Sequence, residues 1–221
     1  MVISITAITG TPGSGKTAVA RLLRKKGYKV IDLKRFAVSN GCVSGIDSRR
    51  NTREIDVPKL NRLLKPALKT AAEGIVFIEG HLSHLLDFAD VVVVLRCAPS
   101  VLVGRLRRKR WRGSKVRENI QAEALGIITF EAMELRKSEV GIGIKPNLLS
   151  DDIKSVVSKG RRLNRNSVFE LDSTKTSPDA LASAILEIAA GKRSCSRYRA
   201  GRISWSKDIM EHREILNLIA D

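Results

Sequence analysis

Gly10-Thr11-Pro12-Gly13-Ser14-Gly15-Lys16-Thr17 matches the pattern G-x-x-x-x-G-K-[ST]. Glycines at these spacings let the backbone fold tightly, so successive N–H groups point at phosphate oxygens. A helix starting there adds its positive N-terminal end. In such a loop Lys16 reaches the β- and γ-phosphates of a nucleotide, and Thr17 offers a hydroxyl to Mg2+. A bare match can arise by chance, so its surroundings matter. Residues 3–8 read as a short buried strand. Residues 17–26 read as a helix, with Ala18, Leu22 and Leu23 at helical spacing and Gly27 as the stop. Strand, glycine loop and helix are the setting that the motif requires.

Outward from the loop, strands and helices alternate. Residues 29–33, 75–78, 91–95 and 168–171 read as further strands. The runs at 75–78 and 91–95 are continuously apolar, as in strands covered on both faces of a parallel sheet. Helices are expected at 57–72, with Asp56 as N-cap and Pro58 in the first turn, and at 100–108. One or two more fall in 114–138, and another in 179–190, capped by Ser177. The prediction is an α/β P-loop NTPase fold, a doubly wound five-stranded parallel sheet with helices on both faces. Residues 40–53 read as a loop. Residues 141–166 are polar, basic and irregular, like an insertion. Residues 192–206 form a basic tail, with a short helix over 207–219.

Composition limits what such a chain does. Its 221 residues, 43% hydrophobic, suffice for one buried core, which Val, Ile and Leu must build because aromatics make up only 4%. No apolar run approaches the roughly 20 residues that span a bilayer. The start lacks the basic stretch and small-residue cleavage site of a signal peptide, so none is expected. Cys42, Cys97 and Cys195 show no metal spacing or disulfide framework, which suits a reducing cytoplasm. Forty Lys and Arg against 23 Asp and Glu give a net charge of +17. That balance favours polyanions, namely nucleotides, RNA or acidic membrane faces, with a solvated basic surface as the alternative.

Two further clusters bear on chemistry. The third strand ends Ile78-Glu79-Gly80-His81. A carboxylate on a neighbouring strand end orients the water shell of Mg2+, which makes Glu79 the metal-side acid. His81 is placed to touch a phosphate or that shell, or is a loop histidine without a role. His84 and His212 have no such context and read as surface residues. After the fourth strand, Arg105, Arg107, Arg108, Lys109, Arg110, Arg112, Lys115 and Arg117 crowd around Trp111 and Gly113. Such a segment can close over a transferring phosphoryl group, bind RNA phosphates, or form a solvated helix face. No N-K-x-D base-reading motif occurs, which argues against a GTPase.

Gly10 to Thr17, Glu79-Gly80-His81 and Lys109-Arg110-Trp111-Arg112-Gly113-Ser114-Lys115-Val116-Arg117-Glu118-Asn119 together resemble one family, the archaeal and eukaryotic adenylate kinases of the isoenzyme-six type. The resemblance covers residues 1–139 and 168–191, and 198–205 is similar to archaeal members. It implies a broad nucleoside monophosphate kinase with ATPase activity that acts in late maturation of the small ribosomal subunit, with its rRNA and a ribosomal protein of the uS11 kind. It implies ATP contacts at Gly13, Gly15, Lys16, Thr17 and Ala18, with Mg2+ at Thr17 and Glu79. A monophosphate-binding segment falls at 33–56, a lid at 108–118, and an adenine-side loop at 172–176 with Lys175. It also implies catalytic roles for Lys16, His81 and the lid arginine. The family's acid-x-His motif usually carries Asp where Glu79 stands. Its Arg-Gly-aromatic lid start is Lys109-Arg110-Trp111 here, so Lys109 or Arg110 contacts ATP. On this reading residues 1–191 form the kinase domain and 192–221 an appended tail. A competing reading is a shikimate-kinase-like enzyme, in which Arg49, Arg50 and Arg53 hold a carboxylate beside an acceptor hydroxyl.

Overall fold

A computed structural model describes residues 3–47, 52–69, 74–137 and 167–220. The first half of the chain runs β1 (Ile3–Thr9), α1 (Lys16–Lys25), β2 (Lys29–Asp32), α2 (Leu33–Ser39), β3 (Val43–Asp47), β4 (Thr52–Ile55), α3 (Val57–Lys69) and β5 (Gly74–Glu79). The second half runs β6 (Val91–Arg96), α4 (Pro99–Arg108), α5 (Gly113–Ala124), α6 (Ile127–Lys137), β7 (Val168–Asp172), α7 (Pro178–Ala189), α8 (Ser206–Glu211) and α9 (Arg213–Ala220). Five strands pair in parallel in the order β2-β5-β1-β6-β7, as the alternating pattern predicts.

Strand side chains alternate between faces, so each apolar run feeds two cores. Ala7, Val76, Ile78, Val92 and Val94 pack against Leu33, Ala37, Leu60, Leu64 and Ala132, from α2, α3 and α6. Ile8, Phe77, Val93 and Leu95 face the other way, onto Val19 and Leu23 of α1 and Leu181 and Ile185 of α7. Outside this sandwich, Leu102, Leu106, Val116, Ile120 and Ile215 join α4, α5 and α9. The strand ends therefore converge where β1 hands over to the glycine loop. Ligands in open α/β sheets sit at such carboxyl ends.

Several expectations are revised. The strand expected over 29–33 stops at Asp32, because that carboxylate accepts from the Arg35 N–H at 2.9 Å and caps α2. The stretch read as a loop over 40–53 contains an antiparallel hairpin, β3 with β4, in which Val43 lies opposite Ile55. The sequence hid it because Gly45 and the polar neighbours mask a strand that only cross-strand pairing stabilises. Residues 114–138 form two helices, parted by Gly126 at φ 64. The helix expected over 207–219 breaks at His212, whose backbone is extended. Asp56 and Ser177 cap α3 and α7 through Lys59 N and Ala180 N. The expected insertion at 141–166 and residues Arg49 and Arg50 lie outside the described residues. No described helix is long and apolar enough to cross a membrane.

Candidate active site

The loop 10–15 turns between β1 and α1 with no room to spare. A Cβ on Gly10 would lie 2.3 Å from the Leu95 carbonyl oxygen at φ 133, and one on Gly13 would lie 2.9 Å from Leu102. These contacts exclude larger residues at both positions. Ser14 N–H donates to the Thr11 carbonyl at 3.0 Å, closing the turn. Gly15 caps α1, which has no acidic residue in its first turn to offset its positive end. The Ser14 hydroxyl is buried and has no hydrogen-bond partner among the described residues. An orphan donor inside a ring of backbone N–H groups suits an anion.

Lys16 is buried, and its ammonium donates to the Gly10 carbonyl at 2.6 Å and the Thr11 carbonyl at 3.1 Å. Burial lowers its pKa to about 8, with Glu79 and Glu123 opposing that shift and Lys109 adding to it. At pH 7 it remains cationic. Thr17 donates to Glu79 Oε1 at 3.1 Å. Glu79 lies opposite Ile8 across β1 and β5, so the sheet register sets this pair. A hydroxyl and a carboxylate at one point form the hard oxygen donor set that Mg2+ takes alongside phosphate oxygens. Among the described residues no three His, Cys, Asp or Glu gather into a metal-holding group.

His81 follows on the same strand end, exposed at its outer surface. The part of the ring turned against the protein loses hydration, and with the charges of Lys16, His84, Lys34 and Lys115 this pushes its pKa below the usual imidazole value, so the ring is neutral at pH 7. Ala18 lies half-buried in the first turn of α1. Lys109 and Lys115 stand over the Trp111 ring at 5.7 and 4.7 Å from its centre. The charge of Lys109 acts on Lys16 and that of Lys115 acts on His81. Arg110 is exposed and takes a left-handed backbone, φ 54. Lys175 is exposed in the loop after β7.

Other placements differ from the sequence reading. Arg105, counted in the basic cluster, turns inward instead. Its guanidinium donates to Ser173 O at 2.9 Å, Thr174 O at 3.3 Å and Gly13 O at 3.4 Å, stitching the loop after β7 to the glycine loop. His84 is buried rather than on the surface, 3.1 Å from Thr9 Oγ1 and 3.0 Å from Glu131. Thr9 Oγ1 in turn donates to the His81 carbonyl at 3.0 Å. An apolar cleft lined by Leu33, Ala37, Ile55, Leu60, Gly80 and His81 opens beside the site. A recess of about 620 Å3 near Arg24 and Arg35 shares no lining residue with the loop.

The residue the sequence reading missed most plainly is Glu123. It is buried, and it accepts from Thr11 Oγ1 at 2.6 Å and from Arg96 Nε at 2.7 Å. A signal was available, since Glu123 follows Val116 and Ile120 on the apolar stripe of α5. An acid on a core stripe needs partners, and those partners include the glycine loop.

A family model described as an AAA domain matches residues 7–126. A protein of Archaeoglobus fulgidus named "Putative adenylate kinase" is 36% identical over 209 residues, covering 94% of this chain and 95% of the relative. One of the same name from Methanothermobacter thermautotrophicus is 37% identical, over 85% of this chain and 91% of its own. The adenylate kinase isoenzyme 6 homolog FAP7 of Saccharomyces cerevisiae is 31% identical, over 67% of this chain and 76% of its own. Among solved structures, a shikimate kinase from Acinetobacter baumannii aligns over 87% of this chain and 96% of its own at a TM-score of 0.47 and 15% identity, a likeness too distant to bear on substrate. With its phosphate loop, its five-stranded parallel sheet and these relatives, the chain belongs to the adenylate kinase family of the isoenzyme-six type, among ATP-dependent phosphotransferases.

Proposed function

We propose that the protein is a broad-specificity nucleoside monophosphate kinase that converts ATP and a monophosphate to ADP and a diphosphate, with ATPase activity. The observation that carries this reading is the buried Lys16, held by the carbonyls of Gly10 and Thr11, beside the Thr17–Glu79 pair at the ends of β1 and β5. In this reading Gly13, Gly15, Lys16, Thr17 and Ala18 hold the ATP phosphates, and Lys175 lies beside the base. Thr17 and Glu79 would hold Mg2+, which would supply positive charge against the phosphate oxygens. A phosphate oxygen of the monophosphate attacks the γ-phosphorus in line, and the bond to the bridging oxygen of the leaving ADP breaks. Lys16 and Arg110 stabilise the charge that develops, and neutral His81 offers a hydrogen bond to the acceptor. No nucleophilic side chain is required, since positioning and charge supply the acceleration.

The domain reading follows the same lines. Residues 1–191 form the kinase, 33–56 grip the monophosphate beside the cleft at Gly80, and 108–118 close as a lid. Residues 192–221 are an appended segment. The test is ADP production from ATP with a panel of monophosphates and hydroxyl acceptors, beside ATP alone. Monophosphates should raise turnover far above the ATP-only rate, and Lys16→Ala should abolish it. Turnover unchanged by every monophosphate would overturn the kinase reading.

A second role is supported by the +17 charge and by what the resemblance to the isoenzyme-six family implies. In it the protein works in the cytoplasm on late small-subunit maturation, touching rRNA and a ribosomal protein of the uS11 kind. The three free cysteines, all buried, agree with a reducing compartment. Co-purification with small-subunit particles, with and without ATP, checks this role. No association at low or moderate salt counts against it.

A further inference from the structure

Behind the phosphate loop lies a buried charge cluster that the kinase mechanism does not use. Arg96, at the end of β6, is shared by two buried carboxylates, Glu123 and Glu170. One guanidinium against two carboxylates leaves a net negative charge in the interior. Neutral donors must satisfy the surplus, because an unpaired buried charge is costly. Most of them come from the C-terminal segment. Glu170 Oε2 accepts from the backbone N–H of Gly201, Arg202 and Ile203 at 2.8, 3.3 and 3.4 Å. Glu123 Oε1 accepts from the Trp205 indole N–H at 2.9 Å and Cys97 N–H at 3.2 Å. The other oxygen of Glu123 accepts from the Thr11 hydroxyl at 2.6 Å, and Thr11 belongs to the phosphate loop. A single carboxylate thus joins the tail to the loop. The Thr11 carbonyl is one of the two that hold the Lys16 ammonium, and the charge of Glu123 reaches Lys16.

The tail is seated elsewhere too, on the helices that flank the lid. Asp208 accepts from the Ser100 N–H at 3.0 Å and its hydroxyl at 2.6 Å, at the start of α4. Gln121 of α5 donates to the Ile219 carbonyl at 3.3 Å, and Ile215 is buried between α4 and α5.

We infer that Glu123 is a positioning residue of the nucleotide site, and that the C-terminal segment sets the ATP affinity of the phosphate loop through it. This rests on the reading of Gly10–Thr17 as the ATP site. Two effects have the same sign. With Trp205 seated, Thr11 is fixed and the loop is organised before ATP arrives. With Trp205 displaced, the Glu123 charge loses a donor and stands less neutralised beside a site for phosphates.

The experiment measures Mg·ATP dissociation constants by calorimetry on the full chain. Trp205→Phe keeps the ring and removes only the N–H, and Thr11→Val removes only the hydroxyl. Each should weaken ATP about tenfold, the scale of one hydrogen bond to a charged group. Because both act through one carboxylate, the two losses should be coupled, the double variant falling well short of the product of the single losses. Ser100→Ala loosens the tail away from Glu123 and should bind ATP as the wild type does. Wild-type affinity in folded Trp205→Phe, losses that multiply in the double variant, or an equal loss in Ser100→Ala would each overturn the proposal. If Trp205→Phe does not fold, wild-type affinity in Thr11→Val is sufficient to overturn it. Failure of the underlying site reading looks different, since Lys16→Ala would then bind ATP like the wild type.

Discussion

Lys16 carries its charge where the surroundings oppose it. Burial brings its pKa from 10.5 to about 8. Between those values the unfolded chain holds a proton that the native protein has released, so stability rises with pH across that window. The ammonium that meets phosphate is lost over the same range. ATP affinity should therefore be level up to about pH 8 and fall by up to about tenfold per unit above it. Calorimetry from pH 6.5 to 9.5 in buffers of matched ionic strength checks this, with Lys16→Met expected to be weak and flat. An unchanged affinity at pH 9.5 would mean that Lys16 is not the group that meets the phosphates. The identity of this lysine was legible in the sequence, because glycine spacing and flanking elements name it. Its pKa was not, because Glu79, Lys109 and Glu123 arrive from three distant parts of the chain.

Among the elements, the α4–α5 junction is the one under strain. Arg110 sits at φ 54, a left-handed backbone that costs a non-glycine residue roughly 1 kcal/mol. Arg110→Gly should therefore be more stable than Arg110→Ala by about 1 kcal/mol in urea unfolding, while both lose turnover. Equal stabilities would show that the junction is not left-handed in solution. The sequence marked this segment by its crowded basic residues. It did not show that Arg105 leaves the group to bind loop carbonyls, since helical spacing alone does not say which arginine faces inward. The β3–β4 hairpin escaped notice for a related reason. Its strands are too short and polar to announce themselves, and only their mutual pairing makes them strands.

The whole molecule is closed from behind by the Arg96–Glu123–Glu170 cluster. Burial works against the Arg96 charge, but the two carboxylates outweigh it and raise its pKa. Arg96→Met should cost about 3–5 kcal/mol, because it strands two buried carboxylates at once. An unfolding free energy in urea within about 1 kcal/mol of the wild type would show that the cluster adds little. By itself the sequence determined the phosphate loop, the parallel sheet and the family. Those rest on local features, namely glycine spacing, apolar runs and short motifs read within a few residues of one another. Only the tertiary structure decided that the C-terminal tail shares a buried carboxylate with the glycine loop. The link joins Thr11 to Trp205 by way of Glu123, and no local pattern relates three residues so far apart until the sheet brings them together.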